Sequence, residues 1–269
     1  MKYFELKPSS ALANYVKCFW FLEKDFSTSI SPVETILPDG CVDFIFQSGE
    51  SGLQHLIAGQ TLRQPSAFVI GPQKAPLLLT AVGKTRTLGI RFYANGAYPF
   101  LRMSLKELTN RTADMESLYG SLASELVEKA NTLPPMIAFR ALESFLISRL
   151  SANHVDDKQV RGAIRFLFQQ KGAIDIAGLA GYANLSTRTL ERKFEEVVGH
   201  SPKAFARVAR FDHIKDEMMF NPALSLTDLA YRYGYFDQAH FIQDFKQFAG
   251  KTPSMFAESV IDREIAFYK

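Results

Sequence analysis

At 269 residues and 30.2 kDa the chain suits one large domain or two ordinary ones, and with 47% hydrophobic and 22% charged residues each half can bury a core. Two cysteines, Cys18 and Cys41, are too few for a disulfide framework, no apolar run approaches a membrane span, and the polar start MKYFELKPSS does not read as a signal peptide, so a soluble, cytoplasmic protein is expected. The net charge of +3 decides nothing for or against nucleic acid.

The first third reads as β. ETILPDGCVDFIFQ holds two strand-like runs around Pro38-Asp39-Gly40, where proline presets one turn angle and glycine supplies the other. HLIAGQ, AFVIGPQ, PLLLTAVGKTRTLGIRFY and the Asn95-Gly96 turn continue the pattern, and short strands between glycine-containing turns predict a sandwich or small barrel. Trp20, in KCFWFLEKD, reads as core. Cys18 and Cys41 read as two buried thiols on strands. Asp43, Arg86, Arg91 and Tyr93 read as surface pairs on strands, with the lining of a barrel as the alternative. The histidines show no His-x-His or paired His/Glu spacing, so neither a metal nor another cofactor is expected.

From about Tyr98 the texture turns helical. Ser104 and Glu107 have capping-box spacing, MESLYGSLASELVEKA predicts one helix, NTLPP a break, and MIAFRALESFLISRL a second helix, expected to pack on the sheet. The polar SANHVDD at 151–157 marks the boundary between a β-rich domain at 1–152 and a helical domain at 158–260. Within the latter, Val160, Ile164, Leu167 and Phe168 follow the i, i+4, i+7, i+8 spacing of one buried stripe.

An internal repeat follows. Leu179-Ala180 recurs as Leu229-Ala230; Leu190, Phe194, Gly199, Pro202 and Phe205 recur as Phe241, Phe245, Gly250, Pro253 and Phe256. The offset is 50 before the turn and 51 after it, so the second turn is one residue longer. Each copy predicts an N-cap (Asp175, Ser225), a short helix, a turn residue that tolerates a left-handed backbone (Asn184, Gly234) and a longer helix, Thr187 to Val198 or Gln238 to Phe248. This is a helix-turn-helix unit, present twice. At 100° per residue Leu190, Phe194, Val197 and Val198 share one side and Arg188 and Arg192 the opposite one. In the second copy the phenylalanines of YGYFDQAHFIQDFKQFAGKTPSMF are expected in the core, while Ala239, His240, Gln243, Lys246 and Gln247 face out. Arginine and glutamine are side chains that fit guanine and adenine edges. The helix from about Lys203 to Phe220 would be about 27 Å long, with an apolar arc broad enough to pack on both units. Successive major grooves lie about 34 Å apart, so two units on such a spacer could enter adjacent grooves.

IAGLAGYANLSTRTLERKFEEVVGHSPKAF and LTDLAYRYGYFDQAHFIQDFKQFAGKTPSMF together resemble the twin helix-turn-helix domain of AraC-type transcription regulators. The resemblance implies an α+β two-domain fold. A β-rich N-terminal barrel or sandwich with accessory helices is followed by an all-α domain whose two helix-turn-helix units are joined by a linker helix. It implies a sequence-specific DNA-binding regulator with Ser186, Thr187, Arg188 and Arg192 as contacts of the first recognition helix, and Asp237, Gln238, His240 and Gln243 as contacts of the second. Many members carry arginine where Gln243 stands, and acidic Asp244 lies beside it, so the first unit is expected to carry most of the base readout. LPDGCVDFIF, IGP, LGIRFYANGA and SLYG resemble the N-terminal domain of an uncharacterised branch of the same regulators, with Tyr119 where tryptophan is usual. That domain is expected to sense a small-molecule effector or mediate self-association. Double-stranded DNA, RNA polymerase, the effector and a second copy of the chain are the partners implied, and no membrane. An enzyme with an accessory helical module, and a helical protein-interaction module, are the competing readings. No nucleophile elbow or phosphate loop supports the first.

Overall fold

The structure, a computed structural model, describes residues 1–48, 53–57, 60–153, 157–221 and 223–261. It divides into two compact units. One comprises Met1–Val33, Cys41–Pro72 and Leu78–Asp156; the other comprises Asp157–Lys269 with Glu34–Gly40 and Gln73–Leu77.

In chain order the strands are β1 (Lys2–Leu6), β2 (Val16–Ile30), β3 (Glu34–Ile36), β4 (Val42–Ser48), β5 (Leu53–Ile57), β6 (Gln60–Arg63), β7 (Ala67–Ile70), β8 (Leu77–Phe92) and β9 (Thr112–Asp114). The first unit is built on the antiparallel path β1-β2-β8-β4-β7-β9, with the β5–β6 hairpin pairing to the early part of β8. Short strands were expected, but β2 and β8 run for 15 and 16 residues. Gly83, opposite Phe26, takes φ +71° and accommodates an irregularity within the long strand.

Period-two alternation sends Phe19, Phe21, Phe44, Phe46, Leu88, Ile90 and Phe92 to one face. There they pack on four helices, α1 (Tyr98–Leu101), α2 (Met115–Tyr119), α3 (Ser121–Thr132) and α4 (Pro135–Asn153), through Phe100, Met115, Leu126, Phe139, Leu142 and Phe145. α4 therefore covers the sheet, as its sequence suggests. The single helix expected across MESLYGSLASELVEKA is broken at Gly120, whose φ of +59° interrupts the helical path between α2 and α3. The Ser104–Glu107 spacing forms no capping box. Ser104 accepts instead from the Lys106 amide and starts a single 3-10 turn, Leu105–Leu108. The Asn95–Gly96 turn leads into α1 rather than into another strand.

The opposite sheet face is also largely buried, and several side chains there are polar: Asp43, Gln47, Thr85 and Thr87 beside Leu22, Ile45 and Phe68. Trp20 belongs to this face and is only partly buried, a correction to its reading as core. It lies between Phe19 and Phe21, so alternation turns it away from the helices. Its indole covers Gly89, where a Cβ would fall 1.9 Å from the ring, and its Nε1 donates to Asp43 at 3.4 Å. Asp43 and Arg91 are 3.8 Å apart and both largely shielded, so they are not a surface pair. Arg86 sits on the helix-facing side, its guanidinium 5.7 Å from the Phe21 ring and bonded to the Leu133 carbonyl, while Tyr93 is exposed. The four residues read as a group therefore do not converge. Cys18 is buried on β2, and burial pushes its thiol up to about 12. Cys41 is half-buried and precedes β4, so only one of the two thiols matches the expectation.

The second unit holds α5 (Lys158–Gln169), α6 (Ile176–Tyr182), α7 (Thr187–Val198), α8 (Pro202–Phe220), α9 (Leu226–Arg232), α10 (Gln238–Ala249) and α11 (Pro253–Ile261). Amides at the helix starts are capped by short polar side chains: Asp157 caps α5, Asp175 α6, Ser186 α7, Ser201 α8, Ser225 α9 and Asp237 α10. Each cap is worth about 1 kcal/mol, and each ends a turn where the chain must change direction. Gly199 and Gly250 close α7 and α10 in the left-handed region, at φ +77° and +73°.

Candidate nucleic-acid interface

α6 with α7, and α9 with α10, are two copies of one arrangement. The turn residues Asn184 and Gly234 take φ +53° and +72°, the left-handed backbone that asparagine and glycine tolerate best. The amides beyond them, Leu185 and Tyr235, bond back to the carbonyls of Ala180 and Ala230, so the two turns close in the same way. Leu190 and Phe194 in the first copy, and Phe241 and Phe245 in the second, are buried to 1% exposure or less.

The spacer α8 has 19 residues, about 28 Å of helix. Its first half belongs to the first copy, where Phe205 meets Phe194 and Phe168 edge-on with ring centroids 6.0 and 5.5 Å apart. Its second half belongs to the second copy, where Phe211 meets Phe245 and Phe248 at 5.2 and 5.3 Å. Arg210 joins both ends, donating to the Gly172 carbonyl at 3.1 Å with its guanidinium 5.1 Å from the Tyr235 ring. Arg232, Lys171 and the Tyr233 hydroxyl surround Glu217 at 2.7, 3.6 and 2.7 Å. Burial would raise this carboxyl, and the hydroxyl and two cations outweigh it and hold Glu217 below its ordinary range. These contacts join side chains of α8 to both copies and restrict their relative rotation.

On the side of α7 away from the core, Ser186, Thr187, Arg188 and Arg192 are all exposed. Ser186 is committed to capping: its Oγ accepts from the Thr189 amide at 3.2 Å and lies 2.8 Å from the Thr189 hydroxyl. Arg192 reaches Glu196 at 3.6 Å with 69% of its side chain exposed, a weak pair that a stronger anion can displace. Lys193 points the other way. It bonds Asp157 at 2.7 Å, and Asp157 also caps α5, which fixes the recognition helix to the start of the unit.

On α10 the residues Asp237, Gln238, His240 and Gln243 are exposed, with Ala239, Lys246 and Gln247 beside them. Asp237 caps the helix by accepting from the His240 amide at 2.7 Å. Asp244 does not share this face. It is 5% exposed, accepts from Arg207 Nε at 2.7 Å and from the Tyr235 hydroxyl at 2.8 Å, and also takes Arg207's NH2. The carboxylate expected to weaken the second exposed face is thus turned inward and paired with Arg207 of α8, while Gln243 still stands there in place of a cation.

The other correction concerns Phe236. Of the five phenylalanines between 233 and 256, four are core, but Phe236 is 88% exposed. It is the residue by which the second turn exceeds the first. The signal was in the sequence, in the change of offset from 50 to 51, but periodicity alone assigned every phenylalanine to the interior.

A helix-turn-helix pair on one spacer helix, with its polar residues outward, defines the class, and the family match over residues 179–259 agrees. Residues 179–259 match the family described as "Helix-turn-helix domain", and residues 4–114 match "Domain of unknown function (DUF6597)". The chain is 26% identical over 164 residues to an uncharacterised HTH-type transcriptional regulator of Haemophilus influenzae, covering 61% of this chain and 52% of that one. It thus spans about half the length of this curated relative. Among solved structures, ToxT from Vibrio cholerae O395 aligns with a TM-score of 0.46 at 14% identity, over 89% of this chain and 98% of that one. A probable AraC family regulator from Rhodopseudomonas palustris aligns with a TM-score of 0.36 at 24% identity, over 39% of this chain and 98% of that one.

Proposed function

We propose that the protein is a sequence-specific DNA-binding transcription regulator that acts in the cytoplasm and has no catalytic role of its own. The observation that carries this reading is the duplicated unit: two recognition helices with exposed Arg188 and Arg192, and exposed Gln238, His240 and Gln243, held by one spacer helix of about groove-to-groove length. Residues 158–260 act as the DNA-binding domain. Thr187, Arg188, Arg192, Gln238, His240 and Gln243 read base edges, and Ser186 and Asp237 set the helix starts that present them. Residues 1–152 act as the regulatory domain and respond to a small-molecule effector. RNA polymerase and a second copy of the chain are the macromolecular partners beyond DNA. Among the described residues no helix is long and apolar enough to cross a membrane.

Mobility shifts of the full chain and of 158–260 on randomised duplexes test this reading. Binding that selects a sequence and weakens steeply with salt is expected, because phosphate contacts release counterions. Binding by neither protein at low salt refutes the reading. A helical protein-interaction module would give that result.

A further inference from the structure

We infer that Phe236 is a specificity-determining residue whose ring meets the 5-methyl group of a thymine in the groove read by α10. This rests on the DNA-binding reading above and names a contact that the reading leaves out. A hydrophobic residue just before an N-cap ordinarily packs on the fourth residue of the helix and fixes its entry angle. In the first copy that position before Ser186 is Leu185, which is partly buried. In the second copy the inserted residue displaces the arrangement. Tyr235 does the packing, with its ring 5.3 Å from Phe241 and its hydroxyl on Asp244, and Phe236 is left outside at 88% exposure. The fold therefore makes little use of its ring.

Its backbone is nevertheless held on both sides, by buried Tyr235 and by Asp237 capping α10. The aromatic ring is thus presented at a fixed place, at the head of the exposed run Asp237, Gln238, Ala239 and His240. In the major groove the apolar feature available to such a ring is the thymine methyl, and phenylalanine is among the side chains that contact it. A protein-binding anchor would instead sit within an apolar surround. The neighbours of Phe236 in this run are a carboxylate, an amide, an imidazole and a single methyl, that of Ala239.

The test uses the full chain and a duplex selected from a random pool. Affinities are measured for the wild type and Phe236→Ala on that duplex and on copies in which single thymines are replaced by deoxyuridine, which removes only the methyl. A buried methyl corresponds to about fourfold in affinity. The expected result is a loss of about that size or more for Phe236→Ala, one deoxyuridine position that weakens the wild type similarly, and no further loss when the two changes are combined. Additive losses at every position, or equal affinity of variant and wild type, overturn the assignment. Unchanged DNA affinity with reduced promoter activation also overturns it and places the ring against polymerase. Failure to select any sequence removes the DNA-binding reading itself. Thermal melting of the variant controls for folding and is expected to match the wild type.

Discussion

Arg192 and Asp244 show how much a side chain's neighbours decide its role. Arg192 keeps most of its surface in water and holds only an i,i+4 partner, so it can be redirected to a base edge at small cost. Arg192→Ala is expected to lose about 1–3 kcal/mol on the selected site and to relax base preference there. An equal loss on random duplexes, measured by anisotropy, would mean that it touches phosphate alone. Asp244 has the opposite character. Asp244→Ala would leave the Tyr235 hydroxyl without this acceptor and Arg207 with its bond to Gln247 Oε1 at 2.6 Å, and a loss of about 2–3 kcal/mol of stability is expected by denaturant unfolding. This lies at the low end for a broken buried pair because Arg207 keeps part of its guanidinium in water. A variant as stable as the wild type would place Asp244 back on the surface.

Among the helices, the two recognition elements depend on one seam of aromatic packing along α8. Phe245 lies between Phe211, Phe241 and Phe256, with ring centroids 5.2, 5.9 and 5.3 Å away. Phe245→Ala is expected to cost about 3–5 kcal/mol and to unfold the second copy first; an unchanged melting curve would refute its core role. The joint between α7 and α8 has a different sensitivity. His200 stands between the cap residues Gly199 and Ser201 and is 1% exposed. Burial, reinforced by the charge of Lys74 in the same unit, lowers its pKa to about 4. The folded unit therefore keeps the ring neutral, while the unfolded chain takes up a proton below about 6.5. Stability from this group is complete above about pH 6.5 and is lost as pH falls toward 4, about 2 kcal/mol of it between about pH 7 and pH 5. Urea midpoints at the two pH values should differ less in His200→Gln than in the wild type; an identical pH dependence would remove His200 as the cause.

Across the whole chain, the two units were read from the sequence with unequal completeness, for a physical reason. Helix caps, left-handed turn residues and apolar stripes are local, and the helical unit is made of them. Asp175, Asn184, Ser201, Ser225 and Gly234 each announce their conformation within a few residues, and α7 has the bounds its sequence predicts. The sheet is not local in this sense. Trp20 looks like core until strand register shows which face it takes. The boundary residues 154–156 lie outside the described residues, so the boundary's place rests on the change from sheet and packed helices to the second unit.

By itself the sequence determined the duplicated helix-turn-helix, its caps and turns, and the exposed face carrying Arg188, Arg192, Gln238, His240 and Gln243, because each depends on neighbours within one or two helical turns. Tertiary structure alone decided that Asp244 turns inward to Arg207, that Tyr235 takes the packing place and leaves Phe236 outside, and that Asp43 and Arg91 share a sheet face. Those outcomes depend on how separate elements pack against one another, which is set by the core as a whole rather than by any local pattern.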